Sequence, residues 1–470
     1  MTNQPNKSTK DISPEALWYM EYFNRNKESL LKNFFEFLSF KSISTEPEYR
    51  SELRDCVDWL QQILHKLGFS TEVWETSRHP VLFASRMDAG PDKPTVLIYN
   101  HYDVQPVDPL ELWLSPPFEP TIRDGEIYAR GAQDNKGQCF FVISALAALL
   151  EKNGKLPVNV KLCIEGEEEA GSKGLLESLP GKKSQLQADH LAVVDMGINS
   201  IDQPAVTTGL RGIAHIHVEL VGSKTDLHSG IYGGIAYNPL HALVEMLAKC
   251  RDAEGRVTIP GFYDGIVEPK VEEMEKLDLD FDLDDYIATV GQQPTGGEKS
   301  FSPLESNWLR PTLEINGIGG GYFGSGFKTV IPARAVAKLS ARLVPNQDAS
   351  HIADCMIKYL HSLTPAGVEL IVSDIVTTGG AIRTSPNSKG IQATAKAYEE
   401  VCGKTCGYIL SGGSIPVISE LSKISGAKPV MFGYGLATDN MHAPNEHFGI
   451  DRLAFGLATM ARVLEIIGEQ

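Results

Sequence analysis

Four short apolar runs constrain this chain more than any other feature: Val81 to Arg86, Thr95 to Ile98, Val158 to Ile164 and Leu191 to Val194. Each has the length of a strand, and an apolar helical run, Phe140 to Leu150, lies between the first two and the last two. Strands alternating with helices imply an α/β fold with a mixed, mostly parallel sheet covered on both faces. Such open sheets present their chemistry beyond the strand ends. The residues that follow these runs are ionisable: His101 and Asp103 after the second, four glutamates between Glu165 and Glu169 after the third, and Asp195 after the fourth.

The chain has 470 residues, more than one ordinary core accommodates, so two domains are expected. Helical spacing covers Glu15 to Phe40 as one or two helices and Arg54 to Leu67 as another, with Gly68 at the C-terminal stop position. After Gly209 the pattern changes. Ala214 to Leu220 alternates as a strand, Pro239 to Cys250 is helical, and Thr312 to Ile315 and Arg334 to Leu343 are strands. A helix at Ala349 to Leu360 and a strand at Val368 to Val372 complete a βαββαβ order, the arrangement of a ferredoxin-like α+β sandwich. This places an inserted lid or dimerisation domain at residues 211–384, between catalytic segments at 1–210 and 385–470. The second segment is expected to hold a helix at Gly390 to Val401, a strand at Pro429 to Phe432 and a closing helix at Asp451 to Ile467.

A formal charge of −17 argues against nucleic acid as a partner, because phosphate binding needs clustered Lys and Arg. The longest apolar run, Cys139 to Leu150, is well short of the roughly 18 residues that suggest a membrane span. Met1 to Pro14 is polar and carries no apolar leader core. Seven cysteines scattered through the chain fit a reducing, cytoplasmic setting better than a disulfide framework. Cys402 and Cys406 lack the second pair of ligands that a zinc finger needs, and read as structural.

The chemistry-bearing segments supply ligands suited to divalent cations. In His101-x-Asp103, the aspartate can hold one ring nitrogen while the other binds an ion. Asp134, in Arg130-Gly131-Ala132-Gln133-Asp134-Asn135-Lys136-Gly137, precedes the buried helix and can either cap it or bind metal. Glu165-Gly166-Glu167-Glu168-Glu169 ends an apolar strand, where like charges are unfavourable unless a cation or a shared proton offsets them. Asp195 ends another strand, and Asp439-Asn440-Met441-His442-Ala443-Pro444-Asn445-Glu446 adds a second histidine. Together these are enough for two metal ions sharing a bridging carboxylate.

On these motifs the sequence resembles, over nearly its whole length, the dinuclear zinc amidohydrolase and peptidase family. That family includes carnosinase-type cytosolic dipeptidases, aminoacylases, acetylornithine deacetylase and succinyl-diaminopimelate desuccinylase, and the dipeptidase branch is the nearest. The resemblance implies that His101, Asp134, Glu169, Asp195 and His442 bind two divalent ions, with Asp134 bridging. Zinc is the expected metal, and the donor set also accepts manganese or cobalt. Asp103 would orient His101, and Glu168 would be the general base that takes a proton from the activated water and returns it to the leaving amine. Glu165 and Glu167 receive no role.

The resemblance extends to the insert. Asp226-Leu227-His228-Ser229-Gly230 is similar to the family's lid segment, whose histidine reaches the partner subunit's site in a homodimer and stabilises the tetrahedral intermediate. Lys328-Thr329-Val330-Ile331-Pro332, Arg342-Leu343-Val344-Pro345 and Gly412-Gly413-Ser414-Ile415-Pro416 resemble the segments that hold a substrate carboxylate, implying roles for Thr329, Arg342 and Ser414. The expected activity is hydrolysis of a dipeptide, with an N-acyl amino acid as the alternative substrate and a non-catalytic binding protein as the remote one. No membrane partner is expected. The run with eight carboxylates between Glu272 and Asp285 reads as a solvated surface. Gly319 to Gly324 fits G-x-G-x-x-G, but a strand rather than a helix is expected after it, so it reads as a loop and not as a dinucleotide site.

Overall fold

A computed structural model describes residues 12–377 and 379–470; of the polar N-terminal stretch discussed above, residues 1–11 lie outside the described residues. The four apolar runs form the strands Val81–Arg86, Thr95–His101, Asn159–Glu165 and His190–Val194. They enter a nine-stranded mixed sheet in the order Ser70–Trp74, Val81–Arg86, Asn159–Glu165, Thr95–His101, His190–Val194, Lys428–Phe432, Ala205–Leu210, Ile382–Arg383, with Gly407–Ser411 also paired to Ala205–Leu210. The four strands from Asn159–Glu165 to Lys428–Phe432 are mutually parallel, and the pairs flanking them are antiparallel. The parallel register sets His101 opposite Glu165 and Val194 opposite Phe432. Consequently the ionisable residues that follow these strands emerge along one edge.

Helices Pro14–Ser39, Arg50–Lys66, Lys136–Asn153, Lys389–Cys402 and Ile450–Gly468 build the larger core on one face of this sheet. Lys136–Asn153 is apolar almost all round and buried over most of its length, as expected of a helix sandwiched between a sheet and other helices. The opposite face carries a smaller core, in which Leu175, Leu179 and Leu186 meet Val417, Ile418 and Leu421 of the helix Pro416–Ser425. Gly68 ends the helix Arg50–Lys66 with φ +78, a conformation that favours glycine over any residue with a Cβ.

At Arg211 the chain leaves the large sheet and builds a second, four-stranded antiparallel one in the order Thr312–Gly320, Arg334–Leu343, Gly212–Val221, Glu369–Val376. In chain order this is 2-3-1-4, the ferredoxin-like arrangement, with helices Pro239–Ala248 and Ala349–Leu363 packed on one face. Ala335, Ala337, Leu339, Ala341 and Leu343 all point to those helices and are buried. The chain rejoins the large sheet where Ile382–Arg383 pairs with Gly209 and Leu210.

Four strands of the large sheet, Ser70–Trp74, Ala205–Leu210, Ile382–Arg383 and Gly407–Ser411, and the covering helix Pro416–Ser425 have no counterpart among the expected elements. Ala205–Leu210 is wholly buried, yet its Thr-Thr-Gly centre hides the apolar signal, and Gly407–Ser411 is short and flanked by glycine. Pro416–Ser425 is an amphipathic helix directly after a segment read only for its chemistry. Within the insert, none of the eight carboxylates between Glu272 and Asp285 is buried, and Asp278 ties the run to the large sheet by donating its N–H to the Tyr408 carbonyl at 2.8 Å. No helix follows the glycine run at 319–324; Val330–Ile331 forms a two-residue ribbon with Leu227–His228. Among the described residues, no helix is long and apolar enough to cross a membrane.

Candidate metal centre

The parallel sheet edge brings the predicted ligands together as two triads that share Asp134: His101, Asp134 and Asp195 form one, and Asp134, Glu169 and His442 the other. Within each triad the three ligand atoms lie within 4.8 Å of one another. Asp134 addresses both with different oxygens. Its Oδ1 is 3.1 Å from His101 Nε2, and its Oδ2 is 2.9 Å from His442 Nε2. Asp195 Oδ2 lies 3.7 Å from His101 Nε2, and Glu169 Oε2 lies 3.3 Å from His442 Nε2. The capping alternative for Asp134 does not apply, because Asn135 occupies the N-cap position and no side chain caps this helix.

Asp103 sits on the far side of His101, with its carbonyl oxygen 3.1 Å and its Oδ1 3.3 Å from Nδ1. The same carboxylate accepts the backbone N–H groups of Glu168 and Glu169, both at 3.1 Å. Asp103 therefore orients the imidazole with its carbonyl and carboxylate, and its carboxylate pins the 3-10 turn Glu168–Ala170 that carries the candidate base and a candidate ligand. Glu446 does similar work for Asp134. It is buried and accepts the Arg130 guanidinium and the N–H groups of Gly131, Gln133 and Asp134 at 2.8–3.0 Å.

Three amides complete the surroundings. Gln105 Nε2 donates to Glu169 Oε2 at 2.7 Å, Asn135 Nδ2 donates to Asp195 Oδ1 at 2.6 Å, and Asn100 Nδ2 donates to Asn135 Oδ1 at 2.7 Å. All three lay inside or beside the motifs singled out in the sequence, but an amide shows neither charge nor periodicity that would mark it as a ligand support. His442 occupies the left-handed region at φ +61, in a loop hooked to its neighbour by Asn445, which accepts the Leu114 N–H and donates to the Leu112 carbonyl.

The four glutamates separate by environment. Glu165 is buried and accepts hydrogen bonds from Tyr99 and Ser172, and burial raises its carboxyl to about 8. Glu167 accepts the Gly174 N–H and faces Arg78. Glu169 joins the second triad. The Glu168 carboxylate makes no hydrogen bond among the described residues; burial raises it to about 7, with His101 opposing and Glu169, Asp134 and Asp103 adding to the rise. A carboxylate left without a partner beside the two triads is free to exchange a proton as a general base.

The donor set fits two divalent cations. Burial, reinforced by Asp134 and the glutamates, holds the Asp195 carboxyl well above its usual range, and Glu169 is raised as well. Hydrogen bonds to Asp134 and Glu169 push His442 up to about 10, so its proton stands where a cation would. Glu169 Oε1 is buried without a hydrogen-bond partner, a costly arrangement for a carboxylate oxygen unless a cation meets it. Imidazole with carboxylate donors accepts zinc, manganese or cobalt.

The remaining predicted residues fall into two further groups. Arg342 Nη1 donates to Ser414 Oγ at 2.9 Å, so two of the three expected carboxylate-binding residues touch. Thr329 directly precedes Val330, the ribbon partner of His228, and its carbonyl accepts the Ser229 N–H at 3.1 Å. The His228 ring is exposed and its Nδ1 accepts the Gly230 N–H; no contact within the chain joins it to either triad among the described residues.

Comparison with known proteins follows the same lines. The profile described as peptidase family M20/M25/M40 matches residues 97–466. The Cys-Gly metallodipeptidase of Schizosaccharomyces pombe is 30% identical over 454 residues, covering 93% of this chain and 95% of that protein. The Beta-Ala-His dipeptidase of Homo sapiens is 30% identical over 444 residues, covering 91% and 87%. Among solved structures, an M20 family metallo-carboxypeptidase from Sulfolobus solfataricus superposes with a TM-score of 0.84 at 33% identity, covering 94% of this chain and 99% of that one.

Proposed function

This chain belongs to peptidase family M20/M25/M40, and on that premise we propose that it is a dinuclear metallodipeptidase, cleaving the amide bond of a dipeptide with a free C-terminal carboxylate. The observation that carries the proposal is the pair of triads sharing Asp134, with the Glu168 carboxylate left free beside them.

His101 and Asp195 would hold one ion, Glu169 and His442 the other, and Asp134 both. When bound, such a pair supplies Lewis acidity to the scissile carbonyl and to water. Glu168 takes a proton from the attacking water on a carboxylate oxygen and delivers it to the amide nitrogen as the bond breaks. Asp103 fixes the imidazole of His101 and the turn carrying Glu168, so neither must reorganise during the reaction. Arg342 and Ser414 grip the substrate carboxylate, and Thr329 would add its donor from beside the ribbon that carries His228.

His228 acts on the site of a second copy as an oxyanion donor in a homodimer. The exposed side chains Ile231, Tyr232 and Ile235 after His228, and Phe323 and Phe327 before Thr329, support this reading, since each is apolar area that a second copy would cover. Replacing His228 by alanine is expected to lower turnover by about 10²-fold or more with little change in thermal stability. Mixed dimers of this variant with a metal-ligand variant should recover part of the activity. Verified mixed dimers without recovery would remove His228 from the site. All seven cysteines are free and six are buried, which supports a reducing, cytoplasmic setting.

A second reading, release of the C-terminal residue from longer peptides, is favoured by the similarity to the Sulfolobus metallo-carboxypeptidase. One panel separates the readings: dipeptides, tripeptides and N-acetyl- and N-succinyl-amino acids, assayed after chelation and re-addition of zinc, manganese or cobalt. Metal-dependent turnover of dipeptides above the rest is the expected result. Turnover confined to N-acyl substrates would transfer the chain to the deacylases, and activity surviving complete chelation would overturn the mechanism.

A further inference from the structure

Arg211 occupies the crossover between the two sheets, directly after Leu210 and before Gly212. Its backbone N–H donates to the Gly413 carbonyl and its Nε to the Gly412 carbonyl, both at 3.0 Å. The guanidinium is thereby fixed over the same short turn whose Ser414 accepts from Arg342. Two guanidinium groups converge on three residues, and neither forms an ion pair among the described residues. Arg211 is only 8% exposed, and its Nη1 is sealed from solvent without an acceptor.

Such an arrangement is unfavourable on its own terms. A buried cation without a counter-charge is costly, and a second cation alongside adds repulsion. Burial and then Arg342 push the Arg211 guanidinium down to about 10, which leaves it charged near neutrality; Glu314, exposed on the neighbouring edge strand, opposes that shift without touching it. The unmet Nη1 of Arg211 calls for an anion from outside the chain. A dipeptide's terminal carboxylate carries one charge and can occupy one planar fork, so two forks leave room for a second carboxylate.

We propose that Arg211 is a second substrate-binding guanidinium, paired with Arg342, and that the two together favour dipeptides whose C-terminal residue is aspartate or glutamate. The proposal rests on the dipeptidase reading above, and its tests separate the two. With metal-loaded wild-type protein, kcat/KM for alanyl-glutamate should exceed that for the near-isosteric alanyl-glutamine by about tenfold or more, the worth of one charge-assisted hydrogen-bond pair. Arg211→Gln should reduce this ratio to about 1–2. Arg211→Lys, which keeps the charge and loses the fork, should fall between.

Calorimetric binding of free glutamate against glutamine to the same proteins reads the subsite without catalysis, and thermal melting confirms that each variant is folded. A wild-type preference below about twofold in both turnover and binding would overturn the proposal. So would a preference that persists in Arg211→Gln. Failure to hydrolyse either dipeptide while glutamate binding keeps its dependence on Arg211 would instead count against the dipeptidase reading alone.

Discussion

Replacing Glu168 by glutamine is expected to lower kcat by about 10²- to 10⁴-fold while leaving two metal ions bound per chain. The side chain is not one of the six-atom set that forms the triads, and its backbone N–H, not its carboxylate, anchors the turn through Asp103. Glutamine keeps the shape and removes only the ability to take and return a proton. Because the carboxylate is buried among Glu169, Asp134 and Asp103, its neutral replacement also removes repulsion, so the thermal stability of the metal-free protein should be unchanged or higher. Metal analysis beside steady-state kinetics checks both halves. Near-normal turnover in this variant would remove Glu168 from the base role, and loss of metal would make it a ligand.

The larger effect is expected at Asp134. Asp134→Asn retains the volume but replaces one anionic oxygen by an amide group that repels a cation, and the two triads have no other member in common. Metal content should fall below two ions per chain, and kcat/KM should fall by roughly 10³-fold or more, corresponding to the several kcal/mol that a metal pair supplies to such a transition state. The fold should survive, since the Asp134 N–H still donates to Glu446 and Arg130 still neutralises that buried carboxylate. Titration of the metal-free variant with zinc or manganese, read by calorimetry, gives the stoichiometry directly. Two full-affinity sites in Asp134→Asn would show that the carboxylate does not bridge.

The two variants probe opposite kinds of legibility. That acids and a histidine follow apolar strands can be read locally, because burial requires apolar residues and strand ends are where polar groups can return to the surface. The five candidate ligands are read in this way and through the family resemblance, and the structure brings all five into the two triads. Assigning Glu165, Glu167, Glu168 and Glu169 by position in a run of glutamates has no such local basis. Their environments differ because successive residues leave the strand in different directions: Glu165 turns to Tyr99 and Ser172, Glu167 to Gly174, and Glu169 to His442.

The strands that escaped notice make the same point. Ala205–Leu210 is buried on all six residues although two of them are threonines, since Thr208 finds the Ile409 carbonyl and its neighbours pair along both strand edges. A buried polar residue is tolerated when tertiary contacts satisfy it, and those contacts involve residues about 200 positions away.

By itself, then, the sequence determined the central strands of the large sheet, the four strands of the small one and the chemical types available at their ends, because periodicity and side-chain chemistry are local properties. Only the tertiary structure decided how those types divide the labour. It set the two oxygens of Asp134 towards different histidines, gave Asp103 both an imidazole and a turn to hold, and left Arg211 buried without a counter-charge. Each of these depends on distance and desolvation among residues remote in the chain, which no local pattern encodes.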